Sequence, residues 1–169
     1  KVKEIMNATS SQTASAQQFL SVEEAKQHIG EEVGISPWLE ITQERVNQFA
    51  QASGDFQFIH VDPERAKAET PFGGPIAHGF LTLSLLSLLS AQSSTIKIKD
   101  CRVLINYGLD KVRFMNPVKV GARIRARFTL ESVEEKSPGA FLLKHKAVVD
   151  IEGETKPAMI AEWLGMSVR

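Results

Sequence analysis

Two short stretches carry the side chains that can do chemistry. The first is Ser53-Gly54-Asp55-Phe56-Gln57-Phe58-Ile59-His60, and the second is Ala77-His78-Gly79, at the head of a Leu-rich run from Phe80 to Ser90. Asp55 and His60 put a carboxylate and an imidazole on one short irregular segment, and such a pair can hold a water between its polar atoms. Gly79 opens a helical run whose first N–H groups have no intrahelical acceptor, so they are free to meet negative charge as it develops. These are the parts of an acid/base site. His78 reads as a structural residue that holds the loop against the helix rather than as a second base. Ser87, inside the apolar run, either supports the site or bonds back to a carbonyl one turn earlier. Cys101 lacks a local activating context, so no nucleophilic role is expected of it.

The elements that must position these residues follow from local rules. Thr42 is a good N-cap with Glu44 in the first turn, so a helix is expected from Gln43, burying Val46, Phe49 and Ala50 while Gln43, Asn47 and Gln51 face out. Ser53-Gly54 stops it, which delivers Asp55 to a fixed place just past its C-terminus. From Phe56 to Pro75 the chain holds Pro63, Pro71, Gly73, Gly74 and Pro75. That stretch is expected to be a structured overhanging loop, with one short helix capped by Asp62 and started by Pro63. Ala77 to about Gln92 is the longest helical candidate. It carries no charge and has leucines on nearly every side, so other structure should wrap it almost completely.

After a polar link, Ser93 to Asp100, the period changes to two. Ile124, Ala126, Phe128 and Leu130 point one way and Arg123, Arg125, Arg127 and Thr129 the other, and Phe141, Leu143, Ala147 and Val149 repeat the pattern. Strands are expected near 102–107, 110–115, 119–135, 140–152 and 155–168, with the first two also readable as one strand bent at Gly108. Strands following one central helix give an α+β chain whose antiparallel sheet buries one face on that helix. The arginine stripe reads as a solvated strand face, with a contact to phosphates as its alternative.

Composition narrows the class. The 169 residues, 43% hydrophobic, suffice for one core, with residues 1–20 as a loose Ser/Thr/Ala/Gln-rich leader and 21–169 as the domain. Ser21-Val22-Glu23-Glu24 has capping-box spacing and should start a short helix, and Val33 to Ile41, with Pro37, reads as an edge strand. Acidic and basic residues balance at 20 each, so no global field favours nucleic acid. A single cysteine forms no internal disulfide, and four dispersed histidines show no zinc spacing, which fits a reducing cytoplasm. The N-terminus has no signal-peptide core, and Phe80 to Leu89 is half of the roughly 20 apolar residues needed to cross a bilayer, so a soluble protein is expected.

The stretch Gly54-Asp55-x-Gln57-x-Ile59-His60, then Phe72-Gly73-Gly74-Pro75-Ile76-Ala77-His78-Gly79 and the Leu-rich helix, resembles the MaoC-like dehydratases, or (R)-specific enoyl-CoA hydratases, of the hot-dog fold. The resemblance spans roughly residues 35 to 168. Gln57 and Phe58 stand where the family pattern has Asn and Pro, as in a branch that includes proteins similar to nodulation protein N, while the Asp-to-His spacing is kept. The resemblance implies an antiparallel sheet wrapped around a long central helix. It implies Asp55 and His60 as the water-activating pair, the Gly79 N–H as donor to a thioester carbonyl, Ser87 as support, and Gln57 and His78 as neighbours on the substrate side. The implied reaction adds water across trans-2-enoyl-CoA to give (R)-3-hydroxyacyl-CoA, with coenzyme A as part of the substrate and neither metal nor redox cofactor. The implied assembly is a homodimer joined sheet edge to sheet edge. Two rivals remain: a hot-dog acyl-CoA thioesterase, which usually places its carboxylate on the central helix where this chain has none, and a non-catalytic acyl-CoA-binding module, prompted by Gln57-Phe58.

Overall fold

The computed structural model describes residues 18–169. The leader expected over 1–20 lies outside them up to residue 17, and its last three residues form a strand, β1 (Gln18–Leu20). Ser21 then caps α1 (Val22–Lys26) through a reciprocal capping box: the Glu24 N–H donates to Ser21 Oγ at 3.2 Å, and the Ser21 N–H donates to Glu24 Oε2 at 2.7 Å. These bonds, with help from Lys99, pull the Glu24 carboxyl down to about 2.

The sheet is antiparallel and holds β2 (Glu32–Ile35), β3 (Leu39–Glu40), β5 (Val103–Phe114), β6 (Arg123–Ser137), β7 (Ala140–Ile151) and β8 (Met159–Val168) in the order β2-β6-β7-β8-β5, with β3 also on β6. The edge strand expected from Val33 to Ile41 is divided into β2 and β3, because Pro37 has no N–H for the ladder. Ser36 spans the break, its N–H donating to Ala126 O and its Oγ accepting from Ala126 N–H, each at 2.9 Å. Gly108 marks a bulge in a continuous β5. The polar link holds an unforeseen strand, β4 (Ile96–Ile98), parallel to β1. Ile96 and Ile98 of β4 close a small second core under α1 with Val22, Leu130 and Leu143.

Five further helices lie between β3 and β4: α2 (Gln43–Ser53), α3 (Phe58–Val61), α4 (Pro63–Glu69), α5 (Gly79–Ser84) and α6 (Leu86–Ala91). The expected single long helix is thus two segments joined through Leu85, where Ser84 Oγ donates back to Leu81 O at 2.8 Å. The rod still continues, since Leu85 N–H bonds Leu81 O and Leu89 N–H bonds Leu85 O. Leu81, Leu85, Leu86 and Leu89 pack against Ile124, Ala126, Phe128, Ala147, Val149 and Met159 of the sheet, each large apolar side chain contributing about 1.5–3 kcal/mol on full burial. The helix is not wrapped all round: Phe80 is 70% exposed and Ser84, Ser87 and Leu88 share its open side. That side faces outward because the sheet ends at β5. On β6 the arginine stripe is ion-paired, Arg123 with Glu152 and Arg125 and Arg127 with Asp150, so it forms a charge ladder.

Candidate active site

α2 ends where Gly54 turns left-handed, φ +79°, with its N–H still bonded to Ala50 O at 2.8 Å; a side chain there would be strained. Asp55 comes next. Its N–H donates to Ser53 Oγ at 3.3 Å and its Oδ1 accepts from the Gln57 N–H at 3.2 Å, an Asx turn that aims an exposed carboxylate. His60 does not lie on irregular chain, as expected, but on the helical turn α3 that Gln57 begins. Phe58, standing where the family pattern has proline, lies under the Arg65 guanidinium at 4.0 Å, and Arg65 sits on α4, whose first turn is capped by Asp62. This contact ties α3 to α4 and restrains the loop by packing instead of by a fixed φ. Gln43, expected to face out, reaches from the head of α2 and donates to His60 O at 2.8 Å.

His60 is 6% exposed. Its Nδ1–H donates to Ile76 O at 2.7 Å, which leaves Nε2 as the ring's acceptor. Burial is the main influence lowering its pKa below 6.5, and His78 lowers it further, against the opposing Ile76 bond and the Asp55 charge. The imidazole is therefore a neutral base near pH 7. His78, 2% exposed, stacks on His60 with ring centroids 3.8 Å apart and planes at 27°. It is the N-cap residue of α5, but its Nε2–H donates to Asp55 O at 3.0 Å, joining the Asp55 loop to the head of the helix.

One ligating atom from each of Asp55, His60 and His78 lies within 4.8 Å of the others.

His60, Gly79, Thr82 and Phe114 line one cleft of about 320 Å³. A Cβ at position 79 would meet the Phe114 ring at 3.2 Å, so glycine is what lets that ring lie against the head of the helix. Asp55 and the Phe56–Ile59 stretch, Gln57 included, are not among its lining residues; Phe114 of β5 supplies the aromatic side, edge-on to Phe80 at 6.1 Å. Ser87 is not brought to Asp55 and His60: it lies two turns along the helix and lines a different cavity. Thr82, missed in the sequence, is 3% exposed on the cleft, three residues from Gly79 and so on the same helical face. Along the same helix, Leu83 and Leu86 line an apolar slot of about 330 Å³ with Phe49, Phe80, Leu109 and Trp163.

One antiparallel sheet curled on a central helix, with the Asp55–His60 pair at the head of that helix, defines the hot-dog fold of the hydratase and dehydratase kind. A family model described as the MaoC like domain matches residues 24–149, and the chain belongs to the MaoC-like dehydratase family. A 3-hydroxyacyl-thioester dehydratase Z of Mycobacterium tuberculosis is 51% identical over 144 residues, covering 85% of this chain and 93% of that protein. Nodulation protein N of Rhizobium leguminosarum bv. viciae is 47% identical over 145 residues, covering 86% and 89%. Among solved structures, the (R)-hydratase from A. caviae involved in PHA biosynthesis superimposes with a TM-score of 0.64 at 25% identity, covering 81% of this chain and 94% of that one.

Proposed function

We propose that the protein is an (R)-specific enoyl-CoA hydratase/dehydratase, adding water across the double bond of a trans-2-enoyl-CoA. The observation that carries this is the state of His60: its Nδ1–H is committed to Ile76 O, so its Nε2 is a free acceptor in a side chain lining the cleft that Gly79 also lines. In the hydration direction, a water held by Asp55 and His60 gives a proton to the pair as its oxygen bonds the β-carbon. The π electrons move toward the thioester carbonyl, where the Gly79 N–H meets the enolate oxygen, and the pair returns a proton to the α-carbon. Proton transfer and hydrogen bonding supply every step, so the reaction calls for neither metal nor redox cofactor. The (R) outcome follows the similarity to the A. caviae enzyme.

Crotonyl-CoA separates this reading from its rivals. A hydratase removes the conjugated thioester absorbance without releasing thiol, a thioesterase releases thiol, and a binding module does neither; the second or third result would reject the proposal.

The proposal extends to assembly. β5 is a 12-residue edge strand on which Val103, Leu104 and Tyr107 are each more than half exposed, and it runs beside the open side of the helix. An apolar edge of that length favours pairing with a second copy, which would complete each site from both chains. Light scattering at micromolar concentration should give twice the chain mass, and a clean, active monomer would refute the pairing.

A further inference from the structure

His145 is a buried polar group that the proposed reaction does not use. It faces inward from β7, is 8% exposed, and its Nε2 has no hydrogen-bond partner among the described residues. It lines a third cavity, of about 200 Å³, with Ser87 and Ser90 of α6, Asn106 of β5 and Trp163 of β8.

Cleft, slot and chamber follow one another along three elements at once. On the helix they take Gly79 and Thr82, then Leu83 and Leu86, then Ser87 and Ser90. On β5 the order is Phe114, Leu109, Leu104, and along β8 and the residue before it the order is Ala158, Trp163, Ser167. The strand register agrees, since Leu109 pairs with Trp163 and Leu104 with Ser167. Trp163 and Asn106 line both slot and chamber and form the collar between them, the indole Nε1–H donating to Asn106 Oδ1 at 2.6 Å.

Beyond that collar the chamber offers uncharged polar groups on an otherwise largely apolar wall. They are the hydroxyls of Ser87 and Ser167 and the Asn106 amide NH₂ left over from the bond to Trp163, while His145 Nε2 lies behind the wall with almost no accessible surface. Such a set pairs with a hydroxyl or carbonyl oxygen. Lys97 also borders the chamber and is half-buried, which makes a carboxylate the competing occupant. At about 1.5 Å per helical residue, Ser87 and Ser90 lie roughly 12 and 16 Å beyond Gly79. An extended chain covers that in about ten to thirteen bonds at roughly 1.2 Å each.

We propose that this chamber receives a hydroxyl or oxo group near the far end of a medium-length acyl chain, so that the substrates are end-oxygenated acyl thioesters. The inference rests on the hydratase reading and names the substrate class of that same site.

Titration calorimetry with saturated thioesters, which cannot be hydrated, tests it without relying on catalysis. The 12-hydroxydodecanoyl-CoA should bind about three- to tenfold tighter than dodecanoyl-CoA, the worth of one net hydrogen bond. Ser87→Ala should bring that ratio toward one, and Ser87→Thr should keep most of it. Equal binding of the two thioesters by the unmodified protein, tighter binding of the 12-carboxy analogue, or a ratio unchanged in Ser87→Ala would each overturn the proposal. The comparison on the unmodified protein decides even where a variant fails to fold. Crotonyl-CoA is too short to reach the chamber, so its hydration tests the reaction by itself and the binding ratio tests the chamber by itself.

Discussion

Acid should destabilise the protein through His145. Burial alone pulls this imidazole from its ordinary 6.5 down to about 4. The folded pKa is depressed, so between these values the unfolded chain binds the proton and the folded chain does not. The stability present above about 6.5 is therefore lost as pH falls toward about 4. That depression corresponds to a loss of about 3 kcal/mol, at ~1.36 kcal/mol per tenfold change in proton affinity. That is a large part of the roughly 5–15 kcal/mol that holds a typical domain. Urea unfolding between pH 7 and 4.5 on the unmodified protein and on His145→Gln measures it, because the variant carries every other titrating group. The expected result is a stability gap between the two that shrinks or reverses by most of that amount on acidification. Parallel pH curves would refute the reasoning and show that solvent or another group already reaches Nε2.

Two further expectations concern the cleft. Because burial and the stacked His78 lower the His60 pKa, kcat/KM for hydration should lose activity on the acid side with a midpoint below 6.5, and His78→Phe should move that midpoint up while lowering Tm; a midpoint at or above 6.5 in the unmodified protein would count against a neutral His60 base. Gly79→Ala puts a Cβ 3.2 Å from the half-exposed Phe114 ring, so the ring should swing into the cleft, lowering kcat/KM about tenfold with little change in Tm, and Phe114→Leu in the same chain should recover most of the loss.

Much of the fold was legible because short-range rules were obeyed. The Ser21 capping box, the Thr42 cap, the left-handed Gly54 and the Pro63 start all lie within a few residues of what they control. The Arg123–Leu130 alternation fixed which face of β6 is buried. What escaped depends on partners far along the chain. β4 pairs with β1 across more than 70 residues, although Ile96 and Ile98 alternating with Lys97 and Lys99 already had a strand's period. The open side of the central helix reflects where the sheet stops, which a uniform run of leucines cannot announce. His145 stands at the inward parity of Phe141, Leu143, Ala147 and Val149, so its burial was readable, whereas its place beside Trp163 needed the strand register. Asp55, His60, His78 and Gly79 are adjacent in motif and in space, and Ser87 is not with them because the helix carries it onward to the chamber.

The central claim is that Asp55 and His60 act on one water. Crotonyl-CoA turnover by Asp55→Asn, His60→Gln and the double variant tests it most directly. Each single change should lower kcat by roughly 10² to 10⁴ with KM nearly unchanged, the usual size of a general acid/base contribution. The double variant should be about as slow as the worse single one, since groups serving one water fail together. A double variant that hydrates crotonyl-CoA at the unmodified rate, or whose loss equals the product of the two single losses, would contradict the account.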